Sequence, residues 1–497
     1  MQTTNTANLL PLVLFLALML VISYWISKHD TGKGGFVKTY FIGGRSLGGF
    51  VLAMTTVATY SSLSSFIGGP GQAWSVGFGW IYMSVVQVTA IFLVLGVLGK
   101  KIAIISRKIN AVTVIDIIRS RYESDLLATL SAVIIVIFFA ATMVAQFVGG
   151  AKLFEAVTGQ SYLTGLCLFG IIVIVYTAIG GFRGVAVTDT LCAIVMLVGM
   201  VLLAGGVLKA GGGYASIMDT LAHDHPEMLE PYSGGNMPLT LYITQWMLVG
   251  IFTFGLPQSV VRGMSYKNTQ SLHRAVIIGT VVIGAMNIGM NLIGVLSRGV
   301  LTQDLAAYGG NIDYIMPTAI VTTLGPVLAG ITIVGPIAAS ISTVSSLLIS
   351  STSSIVKDIY MHHQEARGRT VADNTVRRMS HAGTLLIGAV IFVISITPPD
   401  VIWKINMFAF GGLETAFCWV FLFGLFWRRA NRTGALLSMA GGTLSYCVTM
   451  ALGFKIMGLH QITIGITVSL LLMLAGSLFG KPHSREVLDL YFPEKST

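Results

Sequence analysis

The chain has 497 residues, of which 54% are hydrophobic and only 10% charged. A water-soluble domain carries about 25% charged residues to clothe its surface, so a soluble globular protein is excluded and a polytopic membrane protein is implied. Its 30 Lys and Arg against 20 Asp and Glu give a net charge of +10. With no basic block interleaved with aromatic residues and no nucleic-acid-binding motif, that excess belongs to membrane topology.

Apolar segments of about 20 residues, long enough to cross a bilayer as helices, fall in chain order at 8–27, 49–74, 77–98, 127–149, 160–179, 186–208, 239–261, 275–297, 326–354, 379–397, 401–427, 433–454 and 459–480. The expected fold is therefore all-α, with thirteen transmembrane helices. The first segment lacks a basic start and a small-residue cleavage site, so it is read as a retained helix and not as a signal peptide. Alternate loops divide the 30 Lys and Arg into 25 on one side and 5 on the other, the five being Lys152, Lys209, Arg298, Lys404 and Lys455. The positive-inside rule then puts the N-terminus outside and the C-terminus in the cytoplasm.

Two spans are interrupted. The second contains Ser61-Ser62-Leu63-Ser64-Ser65-Phe66-Ile67-Gly68-Gly69-Pro70-Gly71, and the seventh contains Phe254-Gly255-Leu256-Pro257-Gln258-Ser259. Backbone groups freed at membrane depth must be buried in protein or line a cavity. The breaks are five spans apart, an odd number, so the second unit is inverted relative to the first. That is the pattern of a secondary transporter whose site lies at its broken helices. The units expected are 1–48, an extra N-terminal helix and loop; 49–209, the first repeat; 210–238, an outer loop; 239–428, the second repeat; 429–480, two further helices; and 481–497, a cytoplasmic tail.

Acids inside a membrane are rare and usually functional. Only Asp189 and Glu414 have mid-helix settings, and each is a candidate cation ligand or substrate partner. The richest polar segment is Ala338-Ala339-Ser340-Ile341-Ser342-Thr343-Val344-Ser345-Ser346. At about 100° per residue, Ala339, Ser342, Thr343 and Ser346 share one helical face. Hydroxyls on such a face, joined by carbonyls from an unwound helix, can surround a dehydrated sodium ion without burying net negative charge.

Other chemistries lack their residues. Cys167, Cys192, Cys418 and Cys447 lie in apolar segments without disulfide or zinc spacing. The glycine-rich stretches at 68–71, 211–213 and 309–310 are not followed by Gly-Lys-Ser/Thr, so phosphate binding is unsupported. There is no nucleophile elbow or metal motif, and no loop is long enough for a nucleotide-binding domain. An enzyme is not expected. The nine His avoid mid-span positions, which argues against a proton relay.

The chain resembles the sodium:solute symporter family over nearly its whole length, from Tyr40-Phe41-Ile42-Gly43-Gly44-Arg45-Ser46 to Arg429-Ala430-Asn431. The marks are the broken second span, Ala178-Ile179-Gly180-Gly181-Phe182-Arg183-Gly184 followed by Asp189, and the serine-rich ninth span ending Lys357-Asp358-Ile359-Tyr360. Ser65-Phe66-Ile67-Gly68-Gly69-Pro70-Gly71, Gln146-Phe147-Val148-Gly149-Gly150-Ala151, Gly255-Leu256-Pro257 and Phe408-Ala409-Phe410-Gly411-Gly412-Leu413-Glu414 are similar to the members that carry pantothenate. The resemblance implies a LeuT-like core of inverted five-helix repeats, with one extra N-terminal and two C-terminal helices, in a bacterial inner membrane. It implies sodium as the coupling ion, pantothenate as the imported substrate, and function as a monomer. A symporter for another small carboxylate or an amino acid such as proline, or a proton-coupled carrier, is the competing reading.

Carried over residue by residue, the family's main sodium site falls on Ala58, Ser61, Ala339, Ser342 and Thr343. The second sodium site of some members falls on Asp189, Ser342, Ser345 and Ser346. The expected substrate contacts are Ser62, Ser65, Gly68, Gly69, Gln146, Gln258 and Glu414. One member that handles acidic sugars meets the carboxylate with an arginine of the third core helix, but Phe138 to Phe147 contains no Arg or Lys. Half-helix N–H groups near Gly68 and Gly69, with Ser65 and Gln146, are expected to meet the charge instead. Arg262, at the inner end of its span, is expected to face the cytoplasm.

Overall fold

A computed structural model describes residues 9–29, 36–235, 237–397 and 400–493. Lys33 and Lys495, counted above for orientation, and the ends of units 1–48 and 481–497 lie outside these residues. Among the described residues the secondary structure is helical apart from one isolated parallel bridge, Leu47 with Tyr266.

In chain order the long elements are α1 (Leu9–Lys28), the bent pair α2 (Gly49–Tyr60) and α3 (Ser64–Val76), α4 (Phe78–Lys108), α5 (Asp125–Thr158) and α6 (Tyr162–Ala210). A second bent pair follows, α7 (Tyr242–Gly255) and α8 (Pro257–Met264), then α9 (Thr269–Arg298), α10 (Pro326–Ser353), α11 (Asp373–Ile394), α12 (Ile402–Phe426), α13 (Arg432–Ala451) and α14 (Gln461–Phe479). Among the described residues 10 helices are long and apolar enough to cross a membrane, or up to 12 if each bent pair counts as one.

Both predicted interruptions are present. The α2–α3 axis bends by 67° and the α7–α8 axis by 48°. Ser61 leaves the helical region at φ −78°, ψ 89°, and the chain is helical again from Leu63 and Ser64 onward, with Gly68, Gly69 and Pro70 inside the second half-helix. At the second break Leu256 is extended (φ −90°, ψ 105°) and Pro257 begins the next helix.

The segment α6 has 49 residues, with Gly181 at φ 56°, ψ −170° inside it. At about 1.5 Å per residue this is more than twice the hydrocarbon thickness of about 30 Å. Before Gly181 it lies along α5, with Gly165 against Phe154; after Gly181 it lies along α10, with Gly199 against the Thr332 carbonyl. An added Cβ at Gly181 would approach Tyr40 to 2.6 Å. The positive φ and the close approach together require glycine at this turn.

Burial sorts the spans into centre and rim. In α10 and its continuation 83% of the most apolar window is buried in protein, and in α12 78%, against 28% for α1 and 22% for α11. The serine-rich helix is therefore the most enclosed span, packed against α1, α2–α3, α5, α6 and α11. The loops preceding α2 and following α8 are joined through Leu47 N–H to Ser265 O (3.2 Å) and Lys267 N–H to Leu47 O (3.0 Å), so the two bent pairs are tied at one end.

Candidate functional site

At the end of α2 the predicted oxygens of the main sodium site converge. Ser342 Oγ donates to Ala58 O at 2.8 Å and lies 3.0 Å from Ala339 O. Thr343 Oγ1 donates to Ala339 O at 3.0 Å and reaches Thr59 O at 3.5 Å. Ser61 follows Ala58 by three residues, and its buried Oγ has no partner. Four of the five residues are thus joined by direct contacts across two elements. All their oxygens are neutral, and Ala58, Ser61, Ala339 and Ser342 are 0% exposed. Such a shell suits a monovalent cation, because its own hydroxyl-to-carbonyl bonds are ones an ion would replace.

The second predicted set does not close on itself. Ser345 Oγ turns back to Ser342 O at 3.1 Å, and Ser342 belongs to the first set. Asp189 and Ser346 instead gather around Arg262. Its Nη2 lies 3.5 Å from Asp189 Oδ2 and 2.9 Å from Ser346 Oγ, and it also donates to Thr59 Oγ1. Its Nη1 donates to Gln258 O at 2.6 Å, and Thr55 Oγ1 donates to Asp189 Oδ2 at 2.6 Å. Arg262 is 1% exposed, which corrects the expectation that it faces the cytoplasm. The short α8 turn carries its side chain back over Gln258 into the helix bundle instead of outward to water.

Beyond the break a small pocket is lined by Tyr60, Ser62, Ser65, Gly69, Trp80, Asn291, Trp403 and Asn406, with Ser64, Gln87 and Phe410 among its other walls. Its free volume is about 30 Å³, far below the roughly 300–1,000 Å³ of a small-molecule pocket, so an organic substrate requires its walls to part. Ser64 Oγ, Asn291 Oδ1 and Asn406 Oδ1 are buried there without partners and are ready to accept N–H or O–H groups. On the other side of Trp403 and Met407, which line both spaces, is a wider apolar recess of about 1030 Å³ bordered by Lys404, Lys455 and His460.

Of the predicted substrate contacts, Ser62, Ser65 and Gly69 line this pocket. Gly68 backs it, since a Cβ there would stand 3.4 Å from Trp403. The Gly69 N–H is already bonded to Ser64 O. Gln146 sits behind the break: its Oε1 accepts the Leu63 N–H at 2.8 Å, and its carbonyl accepts Ser340 Oγ at 3.0 Å. Gln258 lies with Arg262. Glu414 is fully buried, its Cα 3.0 Å from where a Cβ would stand on Gly255, and neither carboxylate oxygen has a partner. It abuts the second break and does not line the pocket.

Sequence reasoning missed Asn291, Asn406, Trp403 and the Arg262 cluster. The signal for the first was available, since Asn287 and Asn291 lie one turn apart in an otherwise apolar span. It also missed the buried ion pair Lys152–Asp313 at 2.7 Å, whose Asp313 Oδ2 accepts the Ile402 N–H at 3.3 Å. This pair links the ends of α5 and α12.

Against known proteins, residues 40–442 match the model of the sodium:solute symporter family. The chain is 41% identical over 474 residues to a sodium/pantothenate symporter of Escherichia coli (strain K12), covering 95% of this chain and 96% of that protein. It is 39% identical over 478 residues to a sodium/pantothenate symporter of Haemophilus influenzae, covering 96% and 97%. In three dimensions it is similar to a Na+-coupled sialic acid symporter in a substrate-bound outward-open state, with a TM-score of 0.83 and 19% identity over 97% of this chain and 100% of that one. At that identity the likeness establishes the LeuT-like fold alone.

Proposed function

Because the chain belongs to the sodium:solute symporter family, we propose that it imports pantothenate with sodium by alternating access, through the neutral oxygen cluster at the first helix break. That it is a sodium-coupled membrane transporter of bacterial type follows from the family. The substrate, the ion ligands and the topology are the proposal. The observation that carries it is the meeting of Ala58, Ala339, Ser342 and Thr343 at hydrogen-bond distance from two helices. Sodium entering there would exchange those bonds for ion contacts, with Ser61 completing the shell, and would hold α2 against α10. An ion preferring that arrangement shifts the population toward it, and substrate affinity rises by the same coupling.

In this account the substrate occupies an expanded form of the pocket under Trp403. Ser62, Ser65, Asn291 and Asn406 address its polar groups, and its carboxylate lies toward the sodium. Trp403 separates the pocket from the outer recess, where Lys404 and Lys455 favour an anion's approach. Gln146 acts as a positioning residue for the break. Gly68 shapes the wall, and Glu414 and Gln258 support the second break. Residues 162–210 cross the membrane twice, making thirteen spans with the N-terminus outside, and the protein works as a monomer.

The test of the substrate is thermal stabilisation of the purified protein by a panel of small carboxylates and amino acids, with sodium and with choline. Stabilisation by pantothenate in sodium alone is expected. A larger effect of proline or another carboxylate would replace the substrate and leave the symport reading in place.

A further inference from the structure

The cluster around Arg262 has no task in the cycle described so far, yet it draws on four elements. Arg262 rises from α8, just past the second break. Thr55 and Thr59 come from α2, Asp189 from α6 and Ser346 from α10. Asp189 and Ser346 are two of the four groups expected to hold a second sodium ion. Both are committed to a guanidinium, and the other two, Ser342 and Ser345, bond within or toward the first site.

Charge is balanced before any ion arrives. Asp189 contributes one negative charge and Arg262 one positive charge, both almost fully enclosed. A sodium ion placed beside Asp189 would set two cations against one carboxylate in a medium that screens them poorly. The first site, built of neutral oxygens, carries no such conflict.

We infer that Arg262 is a tethered cation standing in the second ion position of this symporter, so that a single sodium ion is carried per cycle. This rests on the sodium-symport reading above and specifies its stoichiometry. Arg262 also bridges the second broken helix to the first, so the ion pair remains with the protein where a mobile ion would leave. Asp189 Oδ1 has no partner; with the guanidinium gone, both carboxylate oxygens, Ser346 and Thr59 would together form a cation site.

The experiment counts ions. The full-length protein, purified in detergent, is equilibrated with radioactive sodium alone, and bound ions are measured per chain. One ion is expected in the natural protein and in Arg262→Lys, and two in Arg262→Ala, returning to one in Arg262→Ala/Asp189→Asn. In vesicles, the Hill coefficient of sodium-driven uptake should rise from one toward two in Arg262→Ala. Two ions in the natural protein would overturn the inference, as would one ion in a folded Arg262→Ala. If Arg262→Ala does not fold, the counts for the natural protein and Arg262→Lys still decide. No bound sodium in the natural protein would overturn the symport reading beneath it.

Discussion

Replacing Gln146 by leucine separates two roles for that residue, substrate contact and support for the broken helix. Gln146 is fully buried on α5, and its Oε1 accepts the N–H of Leu63, itself fully buried where the helix halves part. Leucine keeps most of the volume and removes the acceptor. An unpaired buried N–H costs about 1–3 kcal/mol. Leucine also removes Nε2, which has no partner of its own, and that offsets part of the loss. The net expectation is about 1–2 kcal/mol, a factor of roughly 5–30 in an equilibrium. The cost falls on the geometry of the break at Ala58 and Ser61, the proposed sodium ligands. The expected outcome is a lower melting temperature in sodium and a several-fold higher sodium half-saturation for uptake, while KM for the organic substrate at saturating sodium moves little. A large rise in that KM, with stability and sodium titration unchanged, would refute the reasoning and restore Gln146 as a substrate contact.

Thr343→Val keeps the shape and removes one hydroxyl of the proposed sodium shell. Bonds to charged groups are worth about 1.5–3 kcal/mol, so sodium half-saturation measured by uptake should rise at least tenfold. Gly294→Ala would set a Cβ 2.3 Å from Pro70 O, with two more backbone atoms of that residue within 2.9 Å. Since backbone cannot swing aside, it should cost about 1–3 kcal/mol, seen as a lower melting temperature in detergent. Lys152→Met strands the carboxylate of Asp313, which is 0% exposed. Breaking such a buried pair costs about 3–5 kcal/mol, and adding Asp313→Asn should recover much of the lost stability.

The legible part of this fold was the part written in local chemistry. Leu256-Pro257 announces a broken helix because Pro acts on its own backbone, and the second bend lies there. The first bend lies within the expected segment but at its Ser61-Ser62-Leu63 end, while Gly68-Gly69-Pro70-Gly71 continue the second half-helix. The hydroxyl face of α10 could be drawn from helical spacing, so Ser342 and Thr343 were found with their carbonyl partner Ala339. Partnerships between distant segments were not legible. Arg262 stands 73 positions from Asp189 (262 less 189), and its place at a span end suggested an outward-reaching side chain. Only the short turn of α8 reverses it. Gln146 was recognised as important, but its motif could not distinguish a residue lining the pocket from one holding the wall in place. Asn406 and Trp403 enter the pocket through the packing of α12 on the α2–α3 break, which no spacing within either segment encodes.

The central claim is that a sodium gradient drives substrate inward through this chain. Purified protein is reconstituted into sealed vesicles, and uptake of radiolabelled pantothenate is followed with sodium or choline outside. The account predicts accumulation above the external concentration only with an inward sodium gradient, collapsing when a sodium ionophore is added. Equal accumulation in choline, or accumulation that survives the ionophore, would contradict it.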